Sequence, residues 1–239
     1  MTMKNSFPKS QILICFLGLL SFNLIVKADN KYPQDFIQAV DAAGSYFTGR
    51  WRREPLLTGI DSPTVFSIDK QDKIWDACTS ETGDTIHWGS SYCNASHVVL
   101  LEKEQLYGLY SDFGRSAVYF VVAHEFAHAY QNALGISYTK PHHELHADCL
   151  GGKSLSTAYP LWKGSIKEIV AMSEAAYRVG TPEWVPNASH GTPVQRRYAF
   201  LTGLGKTEHS CKKQDIELIA SLSEKDFQRS LARNINQEN

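Results

Sequence analysis

Apolar residues recur at helical spacing along much of this chain. Between Asp35 and Phe47 they form an amphipathic pattern, and from Ala117 to Leu134 they occur almost all round the helix until Gly135 interrupts the run. The first pattern predicts a helix that packs one face on a core, and the second predicts a central helix buried on all sides. A glycine directly after such a run favours a left-handed end to the helix.

The second half of the chain predicts more helices. Pro141 stands where a helix should begin, and the pattern continues through Leu150. Gly151 and Gly152 then either allow this helix to pack closely on a neighbour or mark its end. Further helical patterns occur at Lys163 to Arg178, at Val194 to Leu201 and beyond Asp215.

Two short segments predict β-strands. Thr64 to Asp69 and His97 to Leu101 are rich in valine and leucine, and turn-forming residues bound both of them. The patterns together predict an α+β fold with a small N-terminal sheet and a mainly helical C-terminal half. A length of 239 residues suits one domain with a sizeable core.

The first 28 residues have the pattern of a secretory signal peptide. Lys4 and Lys9 precede an apolar stretch from Ile12 to Val26, and small residues lead to a cleavage site after Ala28. The apolar stretch is shorter than the roughly 20 residues that cross a bilayer as a helix. We therefore expect a mature domain at 29–239 that is secreted or periplasmic, with an uncleaved N-terminal anchor as the alternative.

The charge and the cysteine content indicate which partners and which disulfides to expect. The 24 basic and 25 acidic side chains leave a net charge of -1, which favours neither nucleic acid nor an anionic membrane as a partner. Of the five cysteines, Cys15 falls in the signal segment, and the other four form an even set in an oxidising compartment. The favoured disulfide pairs are Cys78 with Cys93, which would close a short Gly/Ser/Thr-rich loop, and Cys149 with Cys211.

The predicted central helix carries the motif H-E-x-x-H. His124 and His128 are four residues apart and share a helix face, so both imidazoles can bind one metal ion. Glu125 lies about 100 degrees around the helix, within reach of water bound to that ion. This arrangement is typical of metal-assisted hydrolysis. The alternative is a buried helix whose ionisable groups are paired without a metal, although burying them there is costly unless a cation neutralises them. A di-iron site would need a second E-x-x-H, and Ala147 stands where its histidine would be.

A catalytic zinc ion takes three protein ligands and keeps one position open. Glu144 is the best candidate for the third ligand, because it lies on the next predicted helix. Asp148, four residues later on the same face, could accept the free N–H of a ligating histidine. The competing candidates for the third ligand are His142, His143 and His146.

Three segments of the chain carry a resemblance to a known family. They are His124-Glu125-Phe126-Ala127-His128, Glu144-Leu145-His146-Ala147-Asp148-Cys149 and His190-Gly191-Thr192-Pro193-Val194-Gln195-Arg196. In order and spacing the chain resembles the neutral zinc metallopeptidases, which are grouped with the gluzincins. The resemblance runs from about Trp75 to Gly205. It implies a zincin-like domain that binds Zn²⁺ through His124, His128 and Glu144, uses Glu125 as the base, and hydrolyses a peptide or protein substrate.

Several assignments stay open. His190 is a candidate donor to the oxyanion of the transition state, with Tyr92 and Tyr198 as weaker candidates. The alternative is that His190, Gln195 and Arg196 only tie the last helix to the core. The strand His97 to Leu101 is expected to offer its edge to an extended peptide. The same chemistry also suits a zinc-dependent hydrolase of a non-peptide amide or ester, and the fold suits a catalytically idle zinc-binding homologue.

Overall fold

The computed structural model describes residues 31–70, 72, 78, 89–181, 190–227 and 229. The expected signal segment, residues 1–28, lies outside the described residues, and so does most of the loop before His190. The elements, in chain order, are α1 (Gln34–Trp51), a short 3-10 helix (Pro55–Leu57), β1 (Thr64–Ile68), β2 (Ser91–Cys93), β3 (Val98–Glu102), α2 (Lys103–Phe113), α3 (Arg115–Ala133), α4 (His142–Leu155), α5 (Ile166–Arg178), α6 (Pro193–Gly203) and α7 (Lys213–Ser221).

The α+β class and the helix-rich second half are confirmed. Helix α5 begins three residues later than its pattern predicts. The reason is local: Gly164 has a φ of 72°, and the Ser165 hydroxyl accepts a hydrogen bond from the backbone N–H of Glu168, 3.2 Å away. A serine cap of this kind fixes the first turn of a helix at the residue that follows it.

The small sheet has the strand order β1-β3-β2. Strand β3 pairs in parallel with β1 and antiparallel with β2, so it lies in the centre of the sheet. The expectation that the strand His97 to Leu101 offers an edge to a peptide is therefore wrong, because both of its sides are already hydrogen-bonded. In the described part of the chain, β2 pairs on one side only.

Helix α3 is the central helix, as its all-round apolar pattern predicts. It contacts α1, α2, α4 and α5 as well as strands β2 and β3. Its side chains are buried along almost its whole length, and Phe126 packs against Phe47 of α1 with ring centroids 5.5 Å apart. The helix ends where Gly135 adopts a φ of 65°. A rigid, fully packed helix is a suitable support for ligands that must stay in register.

Glycines bring α4 close to two other helices. A Cβ at Gly151 would lie 3.3 Å from the backbone nitrogen of His124 in α3. On the α6 side, a Cβ at Gly152 would overlap the carbonyl oxygen of Phe200, and one at Gly203 would overlap that of Cys149. The glycines at 151 and 152 thus serve close packing rather than helix termination, and this packing holds α4 against α3 beside His124.

Both favoured cysteine pairs are joined as disulfides in the structure. The Cα atoms are 5.7 Å apart for Cys78 and Cys93, and 5.6 Å apart for Cys149 and Cys211. The second bond ties α4 to the segment before α7. Two disulfides are compatible with an extracellular protein. None of the described helices is both long and apolar enough to cross a membrane.

Candidate metal centre

Helices α3 and α4 bring three potential ligand atoms together. The Nε2 atoms of His124 and His128, one turn apart on α3, are 3.0 Å from each other. The Oε2 atom of Glu144, in the first turn of α4, lies 3.4 Å from each of these nitrogens. Within the described residues, this is the one group of three or more His, Cys, Asp or Glu side chains close enough to hold a metal ion.

The distances between these atoms can be compared with the distances between ligand atoms around a bound metal ion. A tetrahedral zinc ion that lies about 2.0–2.1 Å from each ligand atom places those atoms about 3.3 Å apart. The observed separations of 3.0, 3.4 and 3.4 Å match that value. Two imidazoles and one carboxylate are also a known ligand set for a catalytic zinc ion. The residues therefore fit a tetrahedral divalent metal.

Asp148 holds the ring of His124 from behind. Its Oδ1 lies 2.8 Å from Nδ1 of His124, and both side chains are buried. An ionised carboxylate only accepts hydrogen bonds, so Nδ1 carries the hydrogen and the lone pair of Nε2 faces the cluster. This is the position that E-x-x-x-D spacing predicts for Asp148.

Arg196 of α6 neutralises Asp148. Its Nε lies 2.7 Å from Oδ2 and its Nη2 lies 2.8 Å from Oδ1, and Nη1 also donates to the carbonyl of Val179. Burial is the largest single influence on Asp148 and opposes its ionisation, but the charges and hydrogen bonds of Arg196 and His124 together lower the pKa of the carboxyl. The motif segment from His190 to Arg196 thus contributes a buried ion pair to the site.

The cluster favours ionised Glu144 and a bound cation. Burial disfavours the charged forms of both His124 and Glu144. The neighbouring carboxylates nevertheless raise the pKa of His124 to about 9, and the two histidines hold the pKa of Glu144 far below its usual range. Lys140 adds a further positive charge 3.6 Å from Oε1 of Glu144. Without a metal, a proton therefore takes the place of the cation among these side chains.

Glu125 is buried next to the two histidines and lines the cavity in front of them. Burial raises the pKa of its carboxyl above the usual value, against the opposing effect of the neighbouring histidines. A general base works best when its pKa lies closer to the working pH than that of a solvated carboxyl. The place and environment of Glu125 thus suit proton transfer.

A cavity of about 1010 Å³ opens over the cluster. It is lined by both imidazoles, Glu125 and Glu144, and by residues from β2, α3 and the loop between α3 and α4. The residues from these elements include Tyr92, Phe120, Val121, Asn132 and Tyr138, and His190 also lines the cavity. A cleft of this size can hold several residues of a peptide.

The candidate oxyanion donors occupy different places. His190 lines the cavity and keeps part of its side chain exposed, and the burial of the rest lowers the pKa of its imidazole. Tyr92 also lines the cavity; its hydroxyl is 2.8 Å from Nδ1 of His97 and accepts a hydrogen bond from Asn132. Tyr198 packs against Phe227 in a separate apolar cluster and does not line the cavity.

None of the three competing histidines joins the ligand group. His142 lines a second, smaller cavity. His143 stacks its ring on that of His128 with centroids 5.1 Å apart, and its buried Nδ1 has no hydrogen-bond partner among the described residues. His146 is buried, and its Nδ1 lies 2.9 Å from Nε2 of Gln131.

The sequence does not predict three residues of the site. It gives Arg196 only the alternative role of tying the last helix to the core, and it gives Lys140 and Gln131 no role. Gln131 is three residues after His128 on the same helix face, so the spacing was available as a signal. Nothing in the sequence pairs Arg196 with Asp148, which lies 48 residues earlier.

Comparison of the chain with protein-family models, with curated proteins and with solved structures finds no match.

Proposed function

We propose that this protein is a secreted zinc-dependent endopeptidase. The observation that carries the proposal is the spacing of the ligand atoms of His124, His128 and Glu144, together with a buried glutamate, Glu125, that faces the same cavity. The resemblance of the three motif segments to the neutral zinc metallopeptidases supports the same assignment. The two disulfides and the N-terminal signal pattern support secretion.

When bound, zinc would act as a Lewis acid that polarises the scissile carbonyl and lowers the pKa of water. Glu125 accepts a proton from the attacking water and delivers it to the leaving amine. Its raised pKa favours this exchange, because a carboxyl that is too acidic would take up the proton poorly. Asp148 and Arg196 keep the ring of His124 in one orientation throughout.

The cavity wall suggests how a peptide would be held. Strand β2 lines the cavity with all three of its residues, Ser91, Tyr92 and Cys93. Its backbone pairs with β3 on one side and has no strand on the other among the described residues. An extended peptide could add to that edge through main-chain hydrogen bonds, which supply affinity without demanding a particular sequence.

His190 is the proposed donor to the oxyanion. It lines the cavity together with Glu144 and Arg196, and the charges of both residues act on its imidazole. A neutral imidazole with one N–H can hydrogen-bond a developing negative charge, and one such donor is typically worth about 10²–10³ in rate. Tyr92 is less suited to this role, because its hydroxyl is already engaged by His97 and Asn132.

The test is metal analysis of the purified mature protein, followed by cleavage of a peptide library with and without a chelator. We expect one zinc ion per chain, cleavage of internal peptide bonds, and loss of cleavage that zinc restores. Zinc with no cleavage of any peptide would indicate an idle homologue, and cleavage confined to small amides or esters would indicate a non-peptide hydrolase. Protein that binds no zinc would refute the proposal.

A further inference from the structure

Gln131 is fully buried beside the second histidine of the cluster. Its Oε1 atom lies 2.8 Å from Nδ1 of His128, which is the ring nitrogen opposite the ligand atom. Its Nε2 atom lies 2.9 Å from the carbonyl oxygen of His143 and 2.9 Å from Nδ1 of His146. Each polar atom of this carboxamide thus has a partner, and the partners come from both helices that build the cluster.

The backbone carbonyl of His143 determines how these groups are protonated. A carbonyl oxygen only accepts, so the nitrogen of the Gln131 carboxamide must face it, and the carboxamide oxygen must face His128. An oxygen at that place requires a hydrogen on Nδ1 of His128. The lone pair of Nε2 is then directed at the ligand position of the cluster.

His146 extends this hydrogen-bond network. The second N–H of Gln131 points at Nδ1 of His146, so this nitrogen must accept, and the ring must carry its hydrogen on Nε2. The backbone of Cys211, which is joined by a disulfide to Cys149 of α4, is a hydrogen-bond partner of His146. His146 therefore accepts from Gln131 at Nδ1, has the backbone of Cys211 as a further partner, and lies outside the ligand group that it supports through Gln131.

We propose that Gln131 is the positioning residue of the metal centre: it fixes the tautomer and ring orientation of His128, as Asp148 does for His124. The two ligands are thus held by different chemistry, an anionic carboxylate on one side and a neutral carboxamide on the other. This inference rests on the proposed metal site. Groups that hold a ligating histidine from behind typically contribute 10–100-fold in metal affinity.

The experiment measures the dissociation constant for Zn²⁺ of the full chain by competition with a chromophoric chelator. We expect Gln131→Met, which keeps the volume but removes the acceptor, to weaken zinc binding by about 10–100-fold. The matched control is Gln195→Met. Gln195 is also buried and makes three hydrogen bonds, to Thr192, Ala220 and Leu222, outside the metal centre. The control should lower the melting temperature and leave zinc affinity unchanged.

A conservative variant separates positioning from packing. Gln131→Glu keeps an acceptor for Nδ1–H of His128 but loses both N–H donors, so its zinc affinity should lie closer to wild type than that of Gln131→Met. Equal affinities of Gln131→Met and wild type would overturn the assignment, and so would a Gln131→Glu variant no tighter than Gln131→Met. Failure of the wild-type chain itself to bind zinc would instead refute the proposed function.

A measurement on the wild-type chain covers the case in which these variants do not fold. Long-range ¹H–¹⁵N correlation spectra of the zinc-loaded protein report which ring nitrogen of each histidine carries hydrogen. We expect Nδ1–H for His128 and Nε2–H for His146. Zinc on Nδ1 of His128, or a hydrogen on Nδ1 of His146, would overturn the inference.

Discussion

Oδ1 of Asp148 lies 2.8 Å from Nδ1 of His124, and both side chains are buried. Arg196 contacts the same carboxylate with two of its nitrogens, so one acidic side chain joins α4 to both α3 and α6. The geometry of the cluster therefore depends on a helix that supplies none of its ligands. This arrangement gives the segment from His190 to Arg196 a structural role in the candidate metal centre.

Arg196→Met should destabilise the zinc-free protein strongly. The change leaves the buried carboxylate of Asp148 without its main counter-charge, and breaking a buried pair in this way typically costs about 3–5 kcal/mol. Urea unfolding of the two proteins measures the difference. The neighbouring Arg197→Met is the control, because Arg197 pairs with a partly exposed Glu174 and should lose at most about 1 kcal/mol. Equal losses would mean that burial of the first pair has no energetic consequence.

Glu144→Ala should reduce the zinc content of the purified protein sharply. The variant removes the only carboxylate oxygen of the ligand group and leaves two imidazoles, which hold a zinc ion far more weakly than three ligands do. Metal analysis after dialysis against a weak chelator measures this. His142→Ala, on the same helix but facing a different cavity, should keep its zinc. Full zinc content in Glu144→Ala would return the role of third ligand to a neighbouring histidine.

The sequence predicts some helices well and others hardly at all, for physical reasons. Helix α3 is clear because its residues are apolar on every side. Helix α2 is not, because only Leu106 and Leu109 of its eleven residues are buried and its start is fixed by the side chain of Glu102, which accepts from two backbone N–H groups. Strand β2 has three residues, too few to show alternation, and exists through its pairing with β3.

The sequence likewise predicts some residues of the candidate site and misses others. The spacing within α3 places His124 beside His128, and the spacing within α4 places Glu144 beside Asp148, because residues four apart share a helix face. The two pairs are expected to meet because these helices follow each other in the chain. Partners that meet only through tertiary packing leave no local signal. Arg196 reaches Asp148 because glycines let α6 approach α4, and that approach is a property of two helices at once.

Glu125→Gln should keep the metal and lose the proposed peptidase activity. The substitution preserves size and leaves all three ligands in place, but a carboxamide cannot take up a proton from water. General acid–base groups typically contribute about 10²–10⁴ in rate, so turnover of a peptide substrate should fall at least 100-fold. Steady-state kinetics with zinc analysis of the same sample tests this. Glu104→Gln, an exposed change on α2, is the control, and wild-type turnover by Glu125→Gln would refute the role of Glu125.

Tyr110→Phe should lower stability in a way that depends on pH. The Tyr110 hydroxyl donates to Oδ2 of Asp35, and this bond ties α2 to the start of α1. It lowers the pKa of Asp35 and raises that of Tyr110 to about 12. Because the pKa of Asp35 is lower in the folded protein than the unfolded value of about 4, the bond stabilises the fold above that pH. This stability is lost as the pH falls through the folded pKa of Asp35. Because the pKa of Tyr110 is higher in the folded protein than the unfolded value of about 10, the bond also stabilises the fold below pH 10. This stability is lost as the pH rises towards 12.

The difference in urea midpoint between wild type and Tyr110→Phe should accordingly be largest from about pH 5 to pH 9 and shrink towards pH 3. Tyr107→Phe is a matched control, because Tyr107 lies on the same helix and stacks on Tyr110 with centroids 6.2 Å apart. Its hydroxyl has no hydrogen-bond partner among the described residues, so its removal takes no charge-assisted bond from the protein. A pH-independent difference for Tyr110→Phe, or an equal pH dependence for Tyr107→Phe, would show that the bond to Asp35 does not link α1 to α2 in solution.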